Sequence, residues 1–173
     1  MPQKPRQSRF SGSDAASDAI SETTHPTPVT AQLCFTLYSS SLTMTKAFKP
    51  LLNEIGLTYP QYLVLLALGD ADRPLSVSAL GEQLFLDSGT LTPLLKRMES
   101  AGLITRRRST ADERLVELSL TEAGHDTCRR AREIPVVLGP ATGCSARELS
   151  ELVSALQDVR SALTRHLDAV AGD

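Results

Sequence analysis

From Gln32 onward the apolar positions follow a helical period: Cys34, Leu37, Met44, Phe48, Leu51 and Ile55, with Ser41 in register, share one face. Pro50 lies inside this run and, lacking an N–H, is expected to kink or divide the helix. Gly56 is its natural stop. Thr58-Tyr59-Pro60-Gln61 reads as a capping box with proline in the first turn. The helix it opens, over 62–68, is apolar all round, which predicts burial on every side. Residues 69–74 read as a turn.

Two short helices follow, over 77–84 and 88–101, joined by Phe85-Leu86-Asp87. In the second, Leu91, Leu94, Leu95 and Met98 form the inward stripe, leaving Ser88, Thr90, Thr92, Lys96 and Arg97 to face outward. After Gly102, residues 103–108 and 114–120 read as a β-hairpin around a polar tip. In its second arm Val116, Leu118 and Leu120 alternate against Leu115, Glu117 and Ser119. Thr121 caps a further helix expected to stop near Pro135, and residues 136–143 read as an irregular loop. Ser145-Ala146-Arg147-Glu148 is a second capping box. It opens a long terminal helix in which Leu149, Leu152, Leu156, Val159, Leu163 and Val170 repeat at heptad-like spacing, a stripe that demands a partner helix.

The length of 173 residues suits one domain with a substantial core. Residues 1–30 are rich in Ser, Thr, Pro and Ala and poor in large apolar side chains, so they are expected to form a disordered tail. They carry no secretory signal, and no apolar run is long enough to span a bilayer, which points to the cytoplasm and away from a membrane. With aromatic residues at 4% and no Trp, leucine and valine must build the core. The net charge of −2 offers no general attraction to nucleic acid, so a DNA-binding protein of this composition must concentrate its cations locally. Cys34, Cys128 and Cys144 form neither a metal-like pair nor a disulfide framework, and neither a metal nor a cofactor is implied.

That local concentration exists. Two helices with a tight link, the second exposing hydroxyls and cations, satisfy the requirements of a helix–turn–helix, and an arginine-bearing hairpin directly after it stands where a wing stands. Ser88, Thr90, Thr92 and Lys96 lie where a recognition helix meets base edges, with Arg97 placed for phosphate or base. Arg106, Arg107, Arg108 and Arg114 supply the wing with charge suited to a minor groove, and Asp112 is spaced to fix the fork of Arg114. The predicted class is mainly α, a winged helix–turn–helix with additional N- and C-terminal helices.

Residues 32–170 resemble the MarR family of winged-helix regulators. Asp112-Glu113-Arg114 followed by Leu120-Thr121 is similar to that family's wing signature. More specific are Leu57-Thr58-Tyr59-Pro60-Gln61-Tyr62, the stretch from Leu86 to Arg97, and Leu33-Cys34-Phe35-Thr36-Leu37-Tyr38, which resemble its organic-hydroperoxide-sensing branch. The resemblance implies a homodimer that binds an inverted repeat in double-stranded DNA and represses transcription until oxidised. It divides the chain into a DNA-binding domain over 58–120 and a helical dimerisation region over 31–57 and 121–173.

Only a thiolate attacks a peroxide readily, and Cys34 lies in the first turns of its helix, where the helix dipole favours negative charge. In the resembling sensors two tyrosines of the partner subunit hydrogen-bond this sulfur. One position falls on Tyr59 here; the other falls on Phe48, which has no hydroxyl, and Tyr38 and Tyr62 are the remaining phenols nearby in sequence. Two-cysteine members of the branch carry a resolving cysteine before the last helix, at a position corresponding to Pro140; Cys144 follows four residues later as the candidate in this chain. Cys128, inside a helix, reads as a packed structural thiol. Three other functions remain open: the same fold answering to a small ligand held between dimer helices, a thiol peroxidase, and a protein-interaction module. The peroxidase reading lacks a catalytic neighbour, because His25 lies in the tail and His125 and His166 fall on late helices.

Overall fold

The computed structural model describes residues 28–109 and 114–172. Residues 1–27 of the expected tail and 110–113 of the wing tip, Asp112 among them, lie outside the described residues. The chain divides into two compact units: Leu33–Leu138, and Met1–Gln32 together with Gly139–Asp173.

In the larger unit, α1 spans Leu33–Glu54 as one helix with Pro50 inside it, so the expected division does not occur. Pro50 lies near the end of the helix, and the only carbonyl it deprives of a donor belongs to Lys46, which is exposed to water. Only Phe48 and Leu52 of α1 are buried in this unit, while Leu33, Tyr38, Leu42 and Met44 remain exposed. Helix α2 (Tyr59–Asp70) begins at the predicted capping box, where the Thr58 N–H donates to Gln61 Oε1 at 2.8 Å. Tyr62, Val64, Leu65, Ala67 and Leu68 are buried, and the helix packs against elements on all sides.

The expected turn after α2 contains a short strand, β1 (Leu75–Ser76), too brief to leave a period in the sequence. It pairs antiparallel with β3 (Val116–Leu120), which also pairs with β2 (Ile104–Arg108), giving a three-stranded sheet in the order β1-β3-β2. Helix α3 (Val77–Leu84) and helix α4 (Ser88–Ser100) are joined by a tight turn. The Leu86 N–H donates to Gly81 O at 2.9 Å, and a Cβ on Gly81 would stand 2.9 Å from Leu86 O, so this turn requires glycine there. Asp87 caps α4: Oδ1 accepts from the Thr90 N–H at 2.9 Å and Oδ2 from the Thr90 hydroxyl at 2.8 Å.

Helix α5 (Glu122–Arg132) starts at Thr121 as predicted. The Thr121 hydroxyl accepts from the Gly124 N–H at 2.9 Å and donates to Gly102 O at 2.6 Å, while the Thr121 N–H donates to Leu103 O at 3.1 Å. Pro135 does not leave an irregular loop behind it. It sits in the first turn of a short helix, α6 (Ile134–Leu138), where its missing N–H has no intrahelical partner to lose, and Gly139–Thr142 continues as a 3₁₀ turn.

In the second unit, α7 (Ala146–Ala171) opens at the predicted capping box, with the Ser145 N–H donating to Glu148 Oε2 at 2.8 Å. None of its residues is buried, and Leu163, Leu167 and Val170 are each more than half exposed. A 3₁₀ turn, Val29–Ala31, precedes α1.

This packing sets two expectations. A Cβ on Gly124 would collide with the Leu103 carbonyl. Gly124→Ala should therefore lower stability by about 2 kcal/mol or more in chemical denaturation, although alanine favours helix by roughly 1 kcal/mol. The second concerns Asp87, whose hydrogen bonds to the Thr90 side chain and backbone hold its carboxyl below the usual range. A depressed folded pKa contributes stability above the unfolded value and loses it as pH falls through the folded one. The stability difference between wild type and Asp87→Asn should be full at neutral pH and shrink progressively as pH falls below the unfolded carboxylate range, about 3.9. A difference independent of pH would show that the charge does not act through this cap.

Candidate functional site: a DNA-reading surface and an exposed thiol

Helix α4 presents two faces. Leu91, Leu94, Leu95 and Met98 are buried, so Ser88, Thr90, Lys96 and Arg97 face outward and Thr92 lies half-buried between the faces. Thr90 is occupied: its hydroxyl proton goes to Asp87, which leaves only acceptor capacity for an external donor. The sequence pattern places Asp87 in a connection, although an Asp directly before a helix is a sufficient signal for a cap. Its carboxylate adds negative charge at the end of the helix expected to approach bases.

The hairpin arginines separate into two kinds. Arg107 and Arg108 are exposed on β2, with Arg107 opposite Glu117 and Arg108 opposite Val116 in the register. Arg114 is exposed at the start of the second arm. Arg106 behaves differently. It lies opposite Leu118, its side chain is 24% exposed, its guanidinium stands 3.7 Å from Glu99 on α4, and its Nε is buried without an acceptor among the described residues. Arg106 thus ties the wing to α4, a role that sequence reasoning misses because the Glu99 partner lies across a turn. At the base of the tip, the Ser109 N–H donates to Leu115 O at 2.9 Å and Ser109 is buried.

Cys34 is exposed in the first turn of α1. Tyr59 opens α2, and its ring meets Phe48 edge-on at 5.3 Å, while Tyr62 lies 5.5 Å from Phe48 and 5.8 Å from Tyr59. Burial raises the Tyr59 phenol above its ordinary value; burial, then Tyr59 and Cys128, raise that of Tyr62. Both therefore remain protonated hydrogen-bond donors at neutral pH. Tyr38 is exposed on α1.

Cys128 is buried, with its thiol donating to Leu65 O at 3.4 Å, as a packed structural thiol would. A Cβ on Gly69 would lie 2.6 Å from its sulfur, so α2 and α5 meet closely at this point. In the second unit, Cys144 lies half-buried just before α7, its N–H donating to the Thr142 hydroxyl at 3.2 Å. Among the described residues, no group of His, Cys, Asp and Glu is arranged to hold a metal ion, and no helix is long and apolar enough to cross a membrane.

The profile of the SarA/Rot transcriptional regulators matches residues 46–130. An organic hydroperoxide resistance transcriptional regulator of Bacillus subtilis (strain 168) is 54% identical over 125 residues, covering 72% of this chain and 84% of the relative. Among solved structures, reduced AbfR bound to DNA superposes with a TM-score of 0.66 at 31% identity, covering 80% of this chain and 96% of that one. AbfR, from Staphylococcus epidermidis, is also known in a disulfide-formed state, with a TM-score of 0.54 at 33% identity over 76% of this chain and 91% of that one. MarR from E. coli shares the fold, with a TM-score of 0.61 at 22% identity over 74% of this chain and 96% of that one. The winged helix–turn–helix, the cations on its second helix and wing and this level of identity lead to one conclusion: the chain is a transcriptional regulator of the MarR family, in its organic-hydroperoxide-resistance branch.

Proposed function

We propose that this protein is a homodimeric repressor that holds an inverted-repeat operator until an organic hydroperoxide oxidises Cys34. The observation that carries the reading is an exposed thiol in the first turn of α1, in a chain whose cations gather on α4 and the wing. Residues 31–57 and 121–173 form the dimerisation region in this reading, and residues 58–120 the DNA-binding domain. The exposed Leu33, Leu42 and Met44 on α1 and Leu163, Leu167 and Val170 on α7 are surfaces that a second copy would cover. The protein works in the cytoplasm, where its thiols start reduced.

Ser88, Thr92, Lys96 and Arg97 read the major groove, with Thr90 acting through its cap to Asp87. Arg107, Arg108 and Arg114 meet phosphates and the minor groove, Asp112 orients Arg114, and Arg106 holds the wing on α4. In the sensing step the Cys34 thiolate attacks the terminal oxygen of the hydroperoxide. An S–O bond forms and the O–O bond breaks. Two electrons pass from sulfur to the peroxide, and the departing alkoxide takes up a proton to leave as the alcohol. The product is a sulfenic acid. Tyr59, a protonated phenol, donates a hydrogen bond to the partner subunit's Cys34 and steadies its thiolate before attack. Cys144 then attacks the sulfenic sulfur of the partner subunit's Cys34, forming an S–S bond and releasing water. A disulfide needs Cα atoms within about 7 Å, and drawing the two segments together shifts the helices that set the spacing of the recognition helices.

The test is Cys34→Ser in a salt-controlled DNA-binding titration with cumene hydroperoxide. Wild type should leave the operator and the variant should stay bound with unchanged affinity; release of the variant would refute sensing through Cys34. For the reading surface, Arg114→Ala should reduce the slope of log affinity against log salt by about 0.9 for each phosphate that Arg114 neutralises. Arg106→Ala should act mainly by loosening the wing, weakening binding with little change in that slope.

A further inference from the structure

The turn between α3 and α4 carries an exposed aromatic side chain, Phe85, that neither the hydroxyls nor the cations of the reading surface account for. Phe85 is 64% exposed, and no other large apolar side chain of residues 75–102 is exposed. Its backbone stands at φ 55° and ψ 39°, and it is the only non-glycine residue at positive φ among the described residues. The turn has the form of a Schellman cap: the Leu86 N–H donates to Gly81 O at 2.9 Å and the Phe85 N–H to Glu82 O at 3.3 Å. Glycine is the usual residue in this left-handed position, because a Cβ there crowds the following carbonyl. A phenylalanine therefore costs stability twice, once in the backbone and once in apolar surface left in water. Strain of this kind persists where the conformation serves a site.

We infer that Phe85 is a specificity-determining residue, whose ring packs on the C5-methyl group of a thymine in each half-site of the operator. Phe85 stands two residues before the Asp87 cap, within about 7.6 Å of chain from the end of α4 that meets base edges. The two backbone hydrogen bonds hold the turn, so the ring is presented from a fixed support. Glu82 and Asp87 flank the turn, both exposed and both carrying the charge of a phosphate, which makes the DNA backbone an unfavourable neighbour. The thymine methyl is the apolar group that base pairs display in the major groove, and a phenylalanine ring is a suitable partner for it. The inference rests on the operator-binding part of the proposed function and is independent of Cys34.

The test uses the full-length reduced protein, without oxidant, on a duplex that the wild type enriches from a randomised pool. Phe85→Gly removes the ring and the strain together, so its thermal midpoint should equal or exceed that of wild type. Its affinity for the duplex should nevertheless fall about tenfold, with the salt dependence unchanged, because an apolar contact releases no counterions. Phe85→Tyr keeps the ring and should bind as the wild type does. Replacing thymidine by deoxyuridine removes only the methyl group. At one position in each half-site this should weaken the wild type about fourfold, the worth of one buried carbon, and leave Phe85→Gly unaffected. The wild-type half of that comparison requires no variant to fold. Equal affinity of Phe85→Gly and wild type would overturn the inference. So would a loss that is the same on thymidine and deoxyuridine duplexes, which would set the ring against the sugars instead. Failure of Cys34 to sense oxidants leaves these measurements intact, and their failure leaves the sensing step intact. A wild type that enriches no duplex sinks the repressor reading and this contact together.

Discussion

The structure depends on burying α2. A helix with no polar face has to be surrounded, and here α1, α3, α4, α5 and β3 all pack on it. Val64 and Leu65 are fully buried, each contributing roughly 1.5–3 kcal/mol relative to exposure. That one demand draws the helix–turn–helix, the sheet and α5 into a single core, because each supplies a wall of the same enclosure. It also places Tyr59 and Tyr62, at the start of the helix, beside α1. The phenol proposed to face the thiol and the scaffold that carries the recognition helix are therefore parts of one element.

A recognition helix and a wing are useful only if their spacing is fixed, and two small devices fix it. The first is the Leu103 carbonyl, which accepts from the Thr121 N–H and lies so close to Gly124 that no side chain fits there. This brings the start of α5 down onto the turn between α4 and β2. The second is the Glu99–Arg106 pair, which spans the same turn from helix to strand. An exposed ion pair is worth little, but the Arg106 side chain is largely covered, so this pair is less screened than one at the open surface. Recognition helix and wing are thereby held at one spacing, with little room to flex against each other.

The elements with strong periodicity or explicit caps are legible in the sequence: α2, α5 and α7 each begin at the residue whose side chain marks the start, and α4 is legible from its apolar stripe, although its Asp87 cap is not read there. Legibility fails where a local rule meets a tertiary exemption. Pro50 does not break α1 because it falls near the helix end and the residue whose carbonyl it orphans, Lys46, is exposed, and Pro135 starts a turn of helix because it falls in the first turn. Strand β1 is two residues long and exists only because β3 offers it an edge. At the site, residue type predicts which side chains carry charge but not which are already engaged. Arg106 stands in a run of three arginines that look alike in sequence, yet the pleat sets it on the face of buried Ile104, toward Glu99, and turns its neighbour Arg107 to the opposite face, where it is exposed. Thr90 has the residue type and position of a base reader, and its hydroxyl closes a cap.

Phe48, like Pro140, is a position at which the resemblance implies a departure from the hydroperoxide sensors, and the packing explains why a phenylalanine is tolerated there. The residue is buried against Tyr59 and Tyr62, so a hydroxyl added to its ring would need a partner in a largely apolar surround, at a cost of about 1–3 kcal/mol if none were found. Phenylalanine avoids that requirement and keeps the ring contacts. In exchange, the proposed thiol site has one donor fewer and depends more heavily on Tyr59. Orientation then matters more than number. Edge-on packing against Phe48 and contact with Tyr62 restrict the Tyr59 ring, and desolvation keeps its proton in place. A single donor held in one orientation loses little entropy when it meets a thiolate, so a rigid aromatic cluster offsets part of what the missing second phenol would have supplied.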